Sequence, residues 1–487
     1  MKFRWKYLGI VLSLFLFTSY SVSGQETSSR KWNRESLIRS ARGFNSAYLA
    51  SQSRSRERQA ALAGARAARL PTLRAGSDLS YLTNPPGLKV EAGSLFPGIP
   101  PALFPPAGIP ALPGEDMTFT LSEKNHYKFS LSLEQPLFTW GRIHHSIEAA
   151  DLGYQAGIID QGREERKLYT AVDTCLATLA ALEEIRIILA EQELKAQRLI
   201  FLSEESYASG FILTTDLLEA RLLAAEVNLA SYESREQSAK ALLALRNLTG
   251  IDDLVFGDIE IPPHLMAVRG QGAHIGPVYT TDDRLDLLST LRQENDSLKL
   301  LELQARARER LLAAARGQSL GKPELGFVAE LSYSGSRFPF IQSDWNTENQ
   351  ANLTLTLGIR ALLFDGGAMR NSILQKEEAA AQARLEAEKG RRDLEEYLEN
   401  TLNELEVSRR RQEYLSLKVE AEHARMEQAK NTWQAGYGEE RIFLTHELTW
   451  YTNRIELFKE ELSARVRTLQ LENVLGIDSS PEEEEEQ

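Results

Sequence analysis

Seven residues of this chain return, in order and without a gap, 226 positions later. Phe138, Gly141, Gly210, Asn247, Gly250, Ile251 and Asp252 reappear as Phe364, Gly367, Gly436, Asn473, Gly476, Ile477 and Asp478. Upstream, Pro71 and Leu73 match Pro323 and Leu325 at a separation of 252, which places 26 extra residues of the first copy between positions 73 and 138. Glycine spacing held over so long a stretch constrains the fold more than any local motif. A chain of 487 residues would otherwise read as about two to four domains. The duplication makes it two copies of one unit, expected at 25–252 and 284–478, joined by a linker over 253–283.

Each copy has the same internal order. A lead-in helix is expected over roughly 34–69 and 284–318, stopped near Pro71 or Pro323. Alternating segments follow at 127–138 and 352–364. In the first, Phe129, Leu131 and Leu133 alternate with Ser130, Ser132 and Glu134; in the second, Leu353, Leu355 and Leu357 alternate with Thr354, Thr356 and Gly358. A period of two predicts strands with one apolar and one polar face, with partners at 75–82 and 324–334. Tyr81, Tyr127, Trp140, Tyr333 and Trp345 lie near the strand ends, where the aromatic girdle of a lipid-facing barrel would sit.

The period then changes. From 141 to 206 and from 367 to 432 run 66 residues without proline, enough for a continuous helix of about 100 Å. Val172, Leu176, Leu179, Leu182, Ile185 and Leu189 form an apolar stripe at spacings of three and four. A glycine-bearing turn and a returning helix over 217–248 or 443–474 complete each hairpin. Such lengths predict coiled-coil packing.

Residues 1–24 read as a secretory signal: Lys2, Arg4 and Lys6, an apolar stretch, then small residues ending at Gly24. The other reading is a retained signal anchor. Cleavage would take the net charge from −13 to −16, because three cations leave. With no cysteine after the apolar stretch, a lipoprotein is not expected. The single Cys175 excludes an internal disulfide and a cysteine zinc cluster, and suits a Gram-negative periplasm or outer membrane. The acidic balance argues against nucleic-acid binding. Residues 479–487, with five consecutive glutamates, read as a solvated, disordered tail.

Four strands per chain cannot close a sheet, and open edges are not tolerated in lipid. Closure therefore needs several chains.

Pro71-Thr72-Leu73, Gln135-Pro136-Leu137-Phe138-Thr139-Trp140-Gly141, Leu363-Phe364-Asp365-Gly366-Gly367 and the two glycine turns resemble the TolC-type outer-membrane efflux protein family. The resemblance runs over roughly 34–478. It implies a mainly α chain with a transmembrane β-barrel: a homotrimer forming a 12-stranded outer-membrane barrel continued by a long periplasmic α-helical barrel. It also implies passive export, with a periplasmic adaptor and an inner-membrane pump of RND, ABC or MFS type as partners, and no cofactor. The turn 207–221 resembles the family's periplasmic hairpin tip, and 434–440 sits at the equivalent place. Gly210, Phe211, Leu213, Thr214, Asp216, Gly436 and Gly438 are thereby adaptor-contact candidates. Aspartates often line the family's gate just after the second tip glycine. This chain has Ile442 and Thr445 there, with Glu439 and Glu440 nearby, so the four are the gate candidates and an aspartate ring is not expected.

The turns also follow from physics. Gly210 and Gly436 can take the left-handed conformation that ends a helix. Thr214, Thr215 and Asp216 offer oxygens to start the next one, as Glu439 and Glu440 do through the helix dipole. The excess of copy one falls in a loop expected at 83–126. Within it, 85–113 hold 9 of the 17 prolines and are expected not to pair as strand. That loop reads as a mobile external segment, a lid or a recognition loop.

No catalytic constellation emerges. His446-Glu447 lacks the second histidine of the zinc-protease pattern, since Trp450 stands there. His144 and His145 are expected on different sides of a helix, unable to share a metal. Gly270, Gly272 and Gly276 lack dinucleotide-binding spacing, and Cys175 reads as packing. Two classes of function remain, an efflux or secretion channel and a non-conducting periplasmic coiled-coil scaffold.

Overall fold

The computed structural model describes residues 31–91, 117–120, 123–265, 279–339 and 341–477. The expected signal, the acidic tail and most of the proline-rich segment lie outside them. In chain order the elements are α1 (Arg34–Phe44), α2 (Ser46–Ala67), β1 (Thr72–Tyr81), β2 (Gly87–Val90), β3 (Met117–Thr120) and β4 (Asn125–Phe138). The hairpin of α3 (Arg142–Ala208) and α4 (Thr214–Thr249) completes the first copy. The second repeats the pattern with α5 (Arg284–Glu294), α6 (Asp296–Gly317), β5 (Glu324–Gly335), α7 (Trp345–Glu348), β6 (Gln350–Arg360), α8 (Ala368–Gln434) and α9 (Glu440–Leu475). Helices α3 and α8 each have 67 residues, α4 and α9 each 36.

The lead-in helix is broken in both copies, where one continuous helix was expected. Asn45 and Asn295 leave the helical region with ψ of 116° and 118°, and their side chains accept from the amides of Tyr48 and Leu298 at 3.0 and 2.9 Å. An Asx cap satisfies an orphan donor and lets a second helix start at a new angle.

Strands β1, β4, β5 and β6 form one antiparallel sheet in that order, so β4 of the first copy pairs directly with β5 of the second. The register stacks like with like. Ala75, Leu131, Leu331 and Leu353 form one row, and Leu73, Leu133, Ala329 and Leu355 the next. On the other face stand Arg74, Ser132, Glu330 and Thr354, with ion pairs Arg74–Glu134 at 3.7 Å and Lys128–Glu330 at 3.0 Å. Aromatic pairs sit at both ends: Tyr127–Phe338 and Tyr333–Trp345 at one, Phe138–Trp140 at the other. Every residue of the edge strands β1 and β6 is exposed.

The first hairpin pairs further out than its prolines predict. Gly87–Val90, inside the stretch expected not to pair, forms a short ladder with Met117–Thr120. The prolines nearest it, Pro85 and Pro86, precede the ladder, so its own amides remain free to donate.

The helices pack through equivalent cores. In the first copy, Leu37 of α1 meets Val172, Leu176 and Leu179 of α3 and Leu245 of α4. In the second, Leu287 of α5 meets Leu398, Leu402 and Leu405 of α8 and Leu471 of α9. The α3, α4, α8 and α9 members correspond at 226. Residues between the copies join the first core through buried Leu254 and Leu265. Cys175 packs against it too, and burial pushes its thiol up to about 11. A third seam joins the hairpins: Leu182, Ile185 and Leu189 of α3 pack on Tyr451, Ile455 and Phe458 of α9. Among the described residues, no helix is long and apolar enough to cross a membrane.

Leu176 is fully buried. Leu176→Ala is expected to lower unfolding stability by about 2–5 kcal/mol. Chemical denaturation followed by circular dichroism reads it.

Candidate functional site

The hairpin ends remote from the sheet carry the candidate residues, and two glycines build them alike. After α3, the amides of Gly210 and Phe211 donate to the carbonyls of Tyr207 and Ser206 at 3.0 and 2.9 Å. After α8, Gly436 and Tyr437 donate to Trp433 and Thr432 at 2.9 and 3.1 Å. This paired arrangement ends a helix only with a left-handed residue, and φ is +75° at Gly210 and +80° at Gly436. At neither would an added Cβ meet an atom within 4 Å. Gly438 serves differently, since a Cβ there would lie 3.1 Å from Thr432 Cγ2 and 3.2 Å from Trp433 N.

The outgoing helices start by different means. Asp216 accepts from the Leu213 amide at 3.1 Å, closing the first turn of α4. Neither Thr214 nor Thr215 supplies the capping oxygen expected of it; the Thr214 hydroxyl instead reaches the Tyr207 hydroxyl at 3.4 Å. In the second copy Glu439 precedes α9, and Ile442 replaces the capping aspartate. The tips expose large apolar groups: Phe211 is 84%, Leu213 71% and Tyr437 90% exposed.

Of the four gate candidates, Glu440 forms an ion pair with another helix. Its carboxylate takes two bonds from Arg198 of α3, at 2.9 and 2.8 Å. Arg198 holds that carboxyl below its ordinary value, and the pairing raises the guanidinium's own. Glu439 pairs with Arg441 at 3.2 Å, the Thr445 hydroxyl donates to the Arg441 carbonyl, and Ile442 is exposed.

The structure adds partners that sequence reading missed. Along the same α3–α9 seam, Lys195 meets Glu447 at 3.0 Å, and Gln192 donates to the Leu448 carbonyl at 3.1 Å and the Thr452 hydroxyl at 2.9 Å. The Tyr451 hydroxyl donates to Glu191 at 2.8 Å. Glu422 of α8, nearly buried, sits 2.6 Å from His446 Nδ1 and 2.9 Å from Arg425. A signal existed in Arg198, Lys195 and Gln192 at spacings of three, facing Glu440 and Glu447 one heptad apart.

The two adjacent histidines also depart from expectation. His144 Nε2 and His145 Nδ1 both turn to Glu148, at 3.4 and 2.9 Å. Four and three residues before one carboxylate, both rings reach it despite leaving the helix in different directions.

The model of the outer membrane efflux protein family matches residues 37–251 and 287–477, one segment per copy. The chain belongs to the outer membrane efflux protein family. A search of curated proteins with the sequence finds no match. Among solved structures, the CmeC outer membrane channel of Campylobacter jejuni is 14% identical, covers 98% of this chain and 95% of its own, and gives a TM-score of 0.68. The MtrE outer membrane channel of Neisseria gonorrhoeae, in its open state, is 16% identical, covers 94% of each chain and gives 0.64. A membrane protein from Pseudomonas aeruginosa is 17% identical, covers 92% of each and gives 0.70. At such identity these likenesses show the fold. With the family match, they make the chain an outer-membrane efflux channel, and the scaffold reading gives way.

Proposed function

We propose that three copies of this chain close a 12-stranded barrel in the outer membrane, with their hairpins continuing it as a periplasmic helical tube. The sheet carries this reading. It has a continuous apolar face, a charged opposite face and two open edges, β1 and β6, with every residue exposed. Strands of 10, 14, 12 and 11 residues meet the length of about 9–11 that a membrane crossing needs. Joining β6 of one copy to β1 of the next removes every edge. Exposed Leu194, Leu229, Leu385 and Leu417 on the hairpins would then find neighbours.

Substrates pass through passively, and direction comes from a pump. The exposed tips, with Gly210, Phe211, Leu213, Thr214, Asp216, Gly436 and Gly438, are the surface for a periplasmic adaptor coupled to an inner-membrane pump of RND, ABC or MFS type. Near them, Arg198–Glu440 and Lys195–Glu447 hold α9 against α3 and narrow the periplasmic mouth. Glu439, Ile442 and Thr445 lie on the same turns.

Purified trimers in a planar bilayer test this. Discrete channels are expected, and Arg198→Ala combined with Lys195→Ala is expected to raise single-channel conductance severalfold. Glu440's depressed value sets the pH dependence. The link is fully present above the ordinary carboxylate range and is lost as pH falls through the lowered value. Conductance of the unaltered channel should therefore rise only in acid below that range. A soluble monomer without channel activity would sink the reading.

A further inference from the structure

A cluster at the junction of sheet and helices lies outside the tip, the seam and the barrel faces. It occupies the first two turns of α3, and its geometry is set before the helix begins. Trp140 and Gly141 are both left-handed, with φ of +51° and +81°, and turn the chain from β4 into α3. The Trp140 indole donates to the Pro323 carbonyl at 2.8 Å. Arg142 grips Glu324 through two bonds of 2.9 and 3.2 Å. Gly317 passes so close that a Cβ there would sit 2.9 Å from the Trp140 carbonyl oxygen. The start of α3 is thus fixed to the start of β5. The His145 ring lies over Gly141, 3.3 Å from where its Cβ would be.

On this fixed turn, one donor atom each from His144, His145 and Glu148 falls within 4.8 Å of the others. The rings are 5.4 Å apart. We propose that His144, His145 and Glu148 bind a borderline divalent metal ion of the zinc(II) type. Two imidazole nitrogens and one carboxylate oxygen match the donor set of open zinc sites, which complete their coordination with solvent. The same set disfavours calcium and magnesium, which take oxygen ligands.

The duplication supplies an internal control. At a separation of 226 the second copy has Arg370, Asn371 and Leu374 on the matching turn of α8. That turn follows an equivalent left-handed glycine, Gly367 at φ +91°. The fold therefore makes this corner without the histidines or the glutamate, and their convergence in one copy is not a requirement of the corner.

Two arginines share the cluster. Arg69 approaches His144 Nδ1 at 3.1 Å, and Arg310 lies 3.4 Å from Glu148. Both are exposed at the surface and free to withdraw along their flexible stems. They compete with a cation, through the imidazole lone pair and through the carboxylate charge. This competition gives the proposal a test in two directions.

The full-length protein, purified in detergent without a polyhistidine tag and stripped with chelator, is titrated with zinc(II) by calorimetry. One ion per chain is expected. His144→Ala and Glu148→Gln should each weaken binding by about tenfold or more, whereas Arg69→Ala should tighten it. Circular dichroism and trimer content of the metal-free variants confirm that they are folded. Because Arg69→Ala changes no ligand, a tightened site there supports the proposal even where a ligand variant assembles poorly. Absence of saturable binding, or affinity unchanged in a folded His144→Ala/His145→Ala variant, overturns it.

Discussion

Leu355→Arg is expected to abolish the outer-membrane trimer, while Thr354→Arg, one residue away, leaves it intact. Leu355 is the middle residue of β6, 64% exposed, between Leu353 and Leu357, each 67% exposed. Its cross-strand partner is Ala329, which in turn faces Leu133. In the isolated chain this row meets nothing. In the proposed barrel it meets hydrocarbon, where an arginine near the midplane costs about 2–4 kcal/mol. A trimer carries that cost in every copy, against a fold whose total margin is about 5–15 kcal/mol. Thr354 points to the opposite face, opposite Glu330 in the register. An arginine there gains a carboxylate neighbour in a water-filled lumen. Outer-membrane fractions run unheated on gels read the trimer directly. If Thr354→Arg is lost and Leu355→Arg survives, the barrel is inside out relative to this proposal. If both are lost, the strand does not face two solvents at all.

That contrast was legible in the sequence, because strand alternation is a local property. Leu353, Leu355 and Leu357 announce the period, and Thr354 and Thr356 the other face. The helical hairpins were legible for the same reason: Val172, Leu176 and Leu179 mark a stripe, and the duplication checks it at Leu398, Leu402 and Leu405. Partnership across the duplication was not. Local pattern predicts hairpins within a copy but carries no information on whether β4 lies beside β5. Nor does it place Arg198 against Glu440, 242 residues away. The breaks at Asn45 and Asn295 escaped because an asparagine in an alanine- and arginine-rich run becomes a cap only where the backbone leaves the helix, which packing decides. Asn295 shows the decision, since its amide donates to the Val474 carbonyl at 2.6 Å. The meeting of His144 and His145 on Glu148 was not legible, because helical-wheel angles describe where side chains leave the backbone, and a ring two bonds from it reaches further.

The tip glycine offers the second large effect, with a control at another left-handed glycine, Gly476. Gly210→Asp is expected to abolish export while trimer level stays near that of the unaltered protein. A left-handed non-glycine residue costs about 1–2 kcal/mol, and aspartate is among the residues that tolerate it best. Nothing within 4 Å opposes a Cβ at Gly210, so packing adds no further penalty. What changes is the surface: a carboxylate enters beside Phe211 and Leu213, the exposed apolar groups proposed to meet the adaptor. Burying an unpaired charge against an apolar partner costs far more than the turn strain. Gly476→Asp should behave in the opposite way. Its φ of +75° imposes the same strain, but its Cβ would lie 2.9 Å from the Glu294 carbonyl oxygen, backbone that cannot swing aside. That contact sits beside Asn295, where α5 hands over to α6, so the damage falls on folding and the trimer is expected to be depleted. Export activity and trimer level, measured together in both variants, separate a contact surface from a structural turn. Export lost in proportion to trimer at Gly210 would make that glycine an assembly residue and move the adaptor surface elsewhere on the tips.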